Sequence, residues 1–214
     1  MPIKVLIVDD HRLVRRGILS LLKEVTGIEA IGEAESGEAA IQFIKEKNPD
    51  VVLMDLQMPG MGGLEATRKI LRINPDIKVL ILTVCESDLF PSRLLEEGAV
   101  GYITKDCGIE EIVRAIRAVY TGKRYLSPEM AQKMALKRFS NDEISPFDNL
   151  SERELQIMMM ITSGSKPQEI AESLHLSPKT INTYRYRLFE KTGVKSDVEL
   201  TLLALKYGVI EKDQ

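Results

Sequence analysis

The chain has 214 residues and a formal net charge of −3, with 44% hydrophobic and 29% charged residues. This composition is typical of a globular protein and excludes a disordered or collagen-like chain. The longest apolar runs are far shorter than the ~20 residues that cross a bilayer, and acidic residues follow the first run directly. We therefore expect a cytoplasmic protein of one or two domains, with no signal peptide, no membrane partner and no nonspecific nucleic-acid binding over its whole surface.

The first half of the chain alternates short apolar runs with amphipathic segments. The runs predict strands over residues 3–8, 28–34, 51–54, 78–84 and 101–105. The segments between them predict helices over residues 11–25, 37–47, 63–73, 88–97 and 109–120. Such alternation requires right-handed crossovers and a parallel sheet, which predicts an α/β domain over residues 1–122.

Polar side chains stand at the ends of four of these strands. Asp9 and Asp10 follow the first strand, Asp55 follows the third, Thr83 lies near the end of the fourth and Lys105 ends the fifth. Each of them alone could be a turn or capping residue. Because the carboxyl ends of parallel strands meet at one edge of the sheet, their joint placement favours a shared site.

The three carboxylates predict a cation site. Clustered carboxylates repel one another, so a cation is needed to keep them ionised together, and a hard ion such as Mg²⁺ prefers oxygen ligands. We expect Asp10 and Asp55 to be direct ligands and Asp9 to act through water. The backbone carbonyl of Gln57 could add a further oxygen.

Asp55 retains an oxygen that could attack a phosphoryl group in line. This reaction needs positioning and charge neutralisation more than covalent machinery. Mg²⁺ and Lys105 would neutralise the phosphoryl oxygens, and Thr83 would donate a hydrogen bond to one of them. The product would be an aspartyl phosphate.

Residues 1–122 resemble the receiver domain of two-component response regulators. The resemblance rests on VDDH at 8–11, LMDLQMPGMGG at 53–63, LTV at 82–84 and YITKD at 102–106. It implies a flavodoxin-like fold, a doubly wound five-stranded parallel sheet of order 2-1-3-4-5. It also implies phosphorylation of Asp55 by a sensor histidine kinase or its phosphotransfer domain, with Tyr102 as the aromatic switch residue.

The rest of the chain has a different pattern. Residues 123–149 are interpreted as a linker with a helical segment over 129–137. From residue 150 the pattern is all helical and predicts a four-helix domain over 150–214. Two of its helices, separated by the turn at 175–177, fit a helix-turn-helix in which the helix over 178–191 is the reader.

The reader helix combines an apolar face with a basic, polar one. Residues 179–191 include four basic residues and one acidic residue, a local charge of +3. A basic helix on an acidic protein is consistent with a DNA interface, although charge alone fits a solvated helix face equally well. The candidate DNA contacts are Lys179, Thr180, Asn182, Thr183, Arg185, Tyr186, Arg187 and Lys191.

Residues 150–210 resemble the C-terminal DNA-binding domain of LuxR/NarL-type regulators. The resemblance rests on LSERELQIM at 150–158, EIAESLHLSPKTINTYRYRLFEK at 169–191 and GVKSDVEL at 193–200. Within this family the chain is most similar to the GacA/UvrY/LetA group. The resemblance implies a transcription regulator that binds double-stranded promoter DNA as a homodimer when phosphorylated, contacts RNA polymerase and activates small regulatory RNA genes.

Three alternatives stay open at the level of sequence, although we expect the chain not to be an enzyme. A haloacid-type aspartyl phosphatase would need a D-x-D pair after the first strand, whereas Asp9 and Asp10 are adjacent. A degenerate receiver would act without phosphorylation, which the complete set of site residues argues against. A protein-interaction module would lack DNA binding, which substitution of Asn182 would test.

Overall fold

The structure is a computed structural model that describes residues 1–83, 89–139, 145–207 and 209–210, with residues 89, 90, 92 and 137–139 described by their backbone alone. The predicted strand end at Val84 and the predicted helix start at Asp88 lie outside these residues. The chain divides into two compact units: of the described residues, 1–83 and 91–132 form the N-terminal unit, and 89–90 are grouped with the residues from Lys133 onwards in the C-terminal unit. None of the described helices is both long and apolar enough to span a bilayer.

The N-terminal unit is built on a parallel sheet flanked by helices. Its strands are β1 (Ile3–Val8), β2 (Ile28–Ala34), β3 (Val51–Met54), β4 (Lys78–Thr83), β5 (Gly101–Thr104) and β6 (Tyr125–Leu126). Its helices are α1 (Arg12–Leu22), α2 (Gly37–Glu46), α3 (Gly63–Ile73), α4 (Leu89–Glu96) from Pro91 onwards, α5 (Ile109–Tyr120) and the start of α6 (Pro128–Phe139). The strand order is β2-β1-β3-β4-β5-β6, which confirms the predicted order 2-1-3-4-5.

A sixth strand extends the sheet that we predicted with five. Residues 125–126 were assigned to the linker, but they pair in parallel with β5, with Tyr125 opposite Gly101 and Leu126 opposite Tyr102. A Cβ on Gly101 would lie only 2.8 Å from the Tyr125 carbonyl oxygen, so glycine permits this close approach. A strand of two residues is too short to leave a periodic signal in the sequence, which explains the difference.

The centre of the sheet positions Asp55. All four residues of β3 are at most 1% exposed, because helices cover both faces of the sheet and an unbroken apolar run is required there. The Asp55 N–H donates to the Val8 carbonyl at 2.9 Å, so the residue stays in register with β1. A Cβ on Gly63 would collide with the Asp55 carbonyl oxygen, so α3 can begin this close to Asp55 only with glycine at that position.

The C-terminal unit contains the four predicted helices. They are α7 (Glu152–Thr162), α8 (Pro167–Ser173), α9 (Pro178–Thr192) and α10 (Asp197–Lys206). The unit also includes residues that we assigned to the linker, since Phe147 is fully buried and meets the Tyr207 ring edge-on at 5.9 Å. Helix α7 begins with the predicted capping box of Ser151 and Glu154.

The turn between α8 and α9 has the bonding pattern of a Schellman motif. The Leu176 N–H donates to the Ala171 carbonyl at 2.8 Å, and the His175 N–H donates to the Glu172 carbonyl at 3.2 Å. His175 has a φ of 52°, a left-handed conformation that glycine usually provides. Ser177 then caps α9, and the two helices form the predicted helix-turn-helix.

Candidate functional site

The strand ends of the N-terminal unit bring one ammonium group between two buried carboxylates. The Lys105 Nζ atom lies 2.6 Å from Asp9 Oδ2 and 2.8 Å from Asp55 Oδ2. Both carboxylates are 2% exposed and the lysine side chain is 10% exposed. The structure therefore gathers these three predicted residues in one pocket, as the parallel topology requires.

Asp10 and His11 complete an acidic cluster around the pocket. One ligand atom from each of Asp9, Asp10, His11 and Asp55 can be chosen so that all lie within 4.8 Å of one another. The His11 N–H donates to Asp9 Oδ1 at 2.8 Å, and His11 Nδ1 lies 2.8 Å from Asp10 Oδ1. His11 was not among the predicted site residues, and its side chain is 67% exposed.

Two oxygens of the cluster are buried without a hydrogen bond. They are Asp55 Oδ1 and Asp10 Oδ1, and the latter accepts none despite its proximity to His11. A buried carboxylate oxygen without a hydrogen bond is costly, so natural structures rarely keep one without a functional reason. Orphaned oxygens on two neighbouring carboxylates are the donor set that suits a hard divalent cation.

Burial and pairing oppose each other in the ionisation of the pocket. Burial raises the pKa of Asp55, and Asp9 adds to this, while Lys105 and the Gln57 N–H oppose it. Burial acts to lower the pKa of Lys105, but Asp55 and Asp9 outweigh it and leave that pKa raised. Lys105 is therefore held as a cation, whereas Asp55 is a carboxylate in a costly environment.

The remaining predicted receiver residues lie around the pocket. Thr83 is fully buried at the end of β4, and its carbonyl accepts the Lys105 N–H at 2.9 Å. Tyr102 is 1% exposed in β5. Gln57 has an exposed side chain, and its backbone N–H acts to lower the pKa of Asp55. The roles of the Gln57 carbonyl, the Thr83 hydroxyl and the Tyr102 ring stay predictions.

Arg15 is a residue at the site that sequence reasoning missed. It is 7% exposed, and its Nη1 atom donates to the Asp9 carbonyl at 2.6 Å and to the Asp10 carbonyl at 3.2 Å. A signal was available, because Arg15 precedes the apolar residues Ile18 and Leu22 by three and seven positions and so lies on the buried face of α1.

In the C-terminal unit, α9 presents a polar face to solvent. Ile181 and Leu188 are fully buried beneath it. Six of the eight predicted DNA contacts have exposed side chains, namely Lys179, Asn182, Thr183, Tyr186, Arg187 and Lys191. Tyr186 is 74% exposed, which is unusual for a large aromatic side chain.

Three of the predicted DNA contacts, one of them exposed, form side-chain contacts that join or cap helices of their own unit. Arg185 forms a bidentate pair with Asp197, at 3.1 Å through Nε and 2.5 Å through Nη2. Lys191 Nζ lies 2.6 Å from Glu154 Oε2. The Thr180 hydroxyl shares a hydrogen bond of 2.8 Å with Ser177, so it belongs to the cap of α9.

Two family models match the chain. Residues 5–117 match the response regulator receiver domain. Residues 148–204 match the domain described as bacterial regulatory proteins, luxR family.

Curated relatives match nearly the whole chain. Response regulator GacA of Pseudomonas aeruginosa is 57% identical over 210 residues, which cover 98% of both chains. Response regulator UvrY of Escherichia coli is 51% identical over 208 residues, covering 97% of this chain and 95% of the relative.

Solved structures share the fold. A LuxR-family two-component response regulator from Aurantimonas is 37% identical with a TM-score of 0.63, over 65% of this chain and 100% of its own. RcsB from Salmonella enterica serovar Typhimurium, solved bound to a promoter in the presence of the phosphomimetic BeF3−, is 25% identical with a TM-score of 0.71, covering 95% and 98% of the two chains.

Proposed function

This chain belongs to the two-component response regulators that join a receiver domain to a LuxR-family DNA-binding domain, and on that premise we propose that Asp55 is its phosphoacceptor. The observation that carries the proposal is the buried Asp55 Oδ1, which accepts no hydrogen bond, on a carboxylate paired through its other oxygen with Lys105. The phosphodonor is a sensor histidine kinase or its phosphotransfer domain.

Asp9, Asp10, Asp55 and the Gln57 carbonyl would hold Mg²⁺. The donor set fits, because orphaned oxygens of Asp10 and Asp55 lie in one acidic cluster. When bound, Mg²⁺ would offset the negative charge of the phosphoryl oxygens and orient the group. Asp55 serves both as ligand and as nucleophile, which its two oxygens permit.

The protein's own residues then divide the reaction between them. An Asp55 oxygen forms the new bond to phosphorus as the phosphorus–nitrogen bond to the donor histidine breaks, and the imidazole keeps the electron pair. The Lys105 ammonium pairs with a phosphoryl oxygen, and the Thr83 hydroxyl donates to another. Tyr102 changes rotamer when Thr83 moves, which biases the receiver towards its active state.

We propose the exposed face of α9 as the DNA interface. Asn182 and Thr183 face base edges, and Lys179 and Arg187 contact phosphates. The phosphorylated chain binds two half-sites as a homodimer and contacts RNA polymerase. A solved relative with 25% identity, RcsB, has been captured on a promoter, which supports this assignment.

The proposed division of labour is a phosphoacceptor domain over residues 1–122, a linker with a helical segment over 123–149 and a DNA-binding domain over 150–214. The proposed targets are small regulatory RNA genes. The similarity to GacA and UvrY over nearly the full chain supports this target class.

Chromatin immunoprecipitation of the wild type and the Asp55→Asn variant tests the proposal. We expect the wild type to occupy promoters of small RNA genes and Asp55→Asn to lose most of that occupancy. Asp76→Asn, the same change at an exposed position, is the control and should behave as the wild type. Equal occupancy by Asp55→Asn and the wild type would overturn the phosphoacceptor proposal.

A further inference from the structure

Arg15 is a buried cation that the proposed reaction does not use. It lies on the buried face of α1 with Ile18 and Leu22 and is 7% exposed. Burial of a guanidinium group is costly unless its donors are satisfied, so this position calls for a specific set of partners.

The partners of Arg15 lie on two sides of the acidic turn. On one side, Nη1 donates to the carbonyl oxygens of Asp9 at 2.6 Å and of Asp10 at 3.2 Å. On the other side, Nε lies 3.4 Å from Glu33 Oε2 and Nη2 lies 3.9 Å from Glu35 Oε2. The guanidinium therefore connects the backbone of the turn after β1 to the carboxylates of Glu33, in β2, and of Glu35, just after β2.

These contacts fix the backbone from which the acidic side chains extend. The same guanidinium nitrogen, Nη1, holds the carbonyls of both Asp9 and Asp10. The His11 N–H, the next donor along the chain, then fixes Asp9 Oδ1 at 2.8 Å. Lysine cannot reproduce this arrangement, because its single ammonium group lacks the planar set of donors with which the guanidinium reaches both the two carbonyls and the two glutamates.

We propose that Arg15 is a positioning residue for the divalent-cation site and sets the cation affinity of the pocket. This inference rests on the proposed phosphoacceptor function. The Arg15 side chain contacts no reacting atom and acts through the backbone of Asp9 and Asp10. Residues that orient metal ligands in this way typically change metal affinity by about 10- to 100-fold when they are replaced.

The test is Mg²⁺ binding by the full chain, measured by isothermal titration calorimetry, together with the Mg²⁺ dependence of labelling by acetyl phosphate. We expect Arg15→Lys to weaken Mg²⁺ binding by about 10-fold. We expect the Mg²⁺ concentration for half-maximal labelling to rise by the same factor, while the rate at saturating Mg²⁺ stays within about twofold of the wild type. Arg16→Lys, the same change at the exposed neighbour, should change neither value.

A purely structural role for Arg15 predicts a different result. In that case Arg15→Lys would have a lower melting temperature but an unchanged Mg²⁺ midpoint, and a folded Arg15→Lys that binds Mg²⁺ as the wild type does overturns the proposal.

If Arg15→Lys does not fold, the double variant Glu33→Gln, Glu35→Gln provides the test, because it neutralises the two carboxylates that hold the guanidinium. A raised Mg²⁺ midpoint in that variant supports the proposal and an unchanged midpoint overturns it. Failure of the phosphoacceptor function would be seen separately, as absence of labelling in the wild type.

Discussion

Each unit contains a buried carboxylate paired with a lysine, and the two clusters differ in how completely their carboxylate oxygens are hydrogen-bonded. In the N-terminal pocket, Lys105 contacts Asp9 and Asp55, and orphaned oxygens remain on Asp10 and Asp55. In the C-terminal unit, Glu154 Oε2 accepts from the Ser151 N–H at 2.7 Å, from the Ser151 hydroxyl at 2.8 Å and from Lys191 at 2.6 Å.

This difference is what the proposed phosphoacceptor site and a structural ion pair would be expected to show. The Glu154 cluster joins α7 to α9 and also closes a capping box, so its charge contributes to folding. The Asp55 cluster keeps carboxylates together without enough hydrogen-bond donors, so it costs stability that a bound cation would offset. The pKa values agree with this contrast, since that of Asp55 is raised and that of Glu154 is lowered.

The largest expected effect comes from replacing Asp55 with asparagine. Asp55→Asn should abolish labelling by acetyl phosphate, because the amide oxygen is a poor nucleophile, while the free energy of unfolding in EDTA should rise because a buried negative charge beside Asp9 is removed. Intact-mass spectrometry and urea unfolding measure the two quantities. A less stable Asp55→Asn would contradict the contrast between the clusters.

The same change of carboxylate to amide at Glu154 should have the opposite effect. Glu154→Gln should lower the free energy of unfolding by about 2 kcal/mol, because a charged acceptor shared by Lys191 and Ser151 becomes neutral. Labelling of Asp55 should be unchanged. Urea unfolding followed by circular dichroism tests the stability, and an undiminished value would show that this cluster is not an anchor.

Replacement of the two arginines of α9 should distinguish a residue that contacts DNA from one that stabilises the fold. Arg187→Gln should reduce the slope of log affinity against log salt by about 0.9, because it removes one phosphate contact. The matched change Arg185→Gln should leave the slope nearly unchanged and reduce stability, since Arg185 is paired with Asp197. Fluorescence anisotropy with a labelled promoter fragment at several salt concentrations measures both slopes. Equal slopes for the two variants would contradict the assignment.

The smallest expected effect is a pH dependence that comes from Glu154. Burial would raise its pKa, but hydrogen bonds from Lys191 and Ser151 outweigh this and lower the pKa from its ordinary value of 4.5. A lowered pKa means that the ionised form favours the folded state, so this contribution is complete above pH 4.5 and disappears as the pH falls through the lowered pKa. The stability difference between the wild type and Glu154→Gln should therefore shrink on acidification, as parallel urea titrations would show. A constant difference would exclude Glu154 as its source.

Much of the fold could be predicted because the relevant signals are local and periodic. The unbroken apolar run of β3, the strand ends at Asp9 and Asp55 and the Ser151 capping box all follow from short stretches of sequence. Helix α1 ends at Leu22, three residues before the predicted end, because helix termini carry weaker signals than helix interiors. The turn at 175–177 was predicted correctly. Its left-handed residue could not be predicted, because histidine, unlike glycine, gives no sequence signal for a positive φ.

Other features depend on side chains that meet across the fold. The contacts of Arg15 with Asp9 and Asp10, and those of Lys191 with Glu154, join elements that sequence alone does not place together. For this reason Arg15 was missed at the site. For the same reason Arg185 and Lys191 were grouped with the DNA contacts, although both are engaged in ion pairs within their own unit.

The short strand β6 ties the segment that leads into α6 to the backbone of β5. Its neighbouring backbone amides, Tyr125 N–H and Ser127 N–H, donate to the carbonyls of Val100 at 3.0 Å and of Tyr102 at 3.2 Å. The chain therefore leaves the sheet while still hydrogen-bonded to β5, the strand that contains Tyr102. A shift in the backbone of Tyr102 would move Ser127, the residue before α6, directly through the hydrogen bond from the Ser127 N–H to the Tyr102 carbonyl.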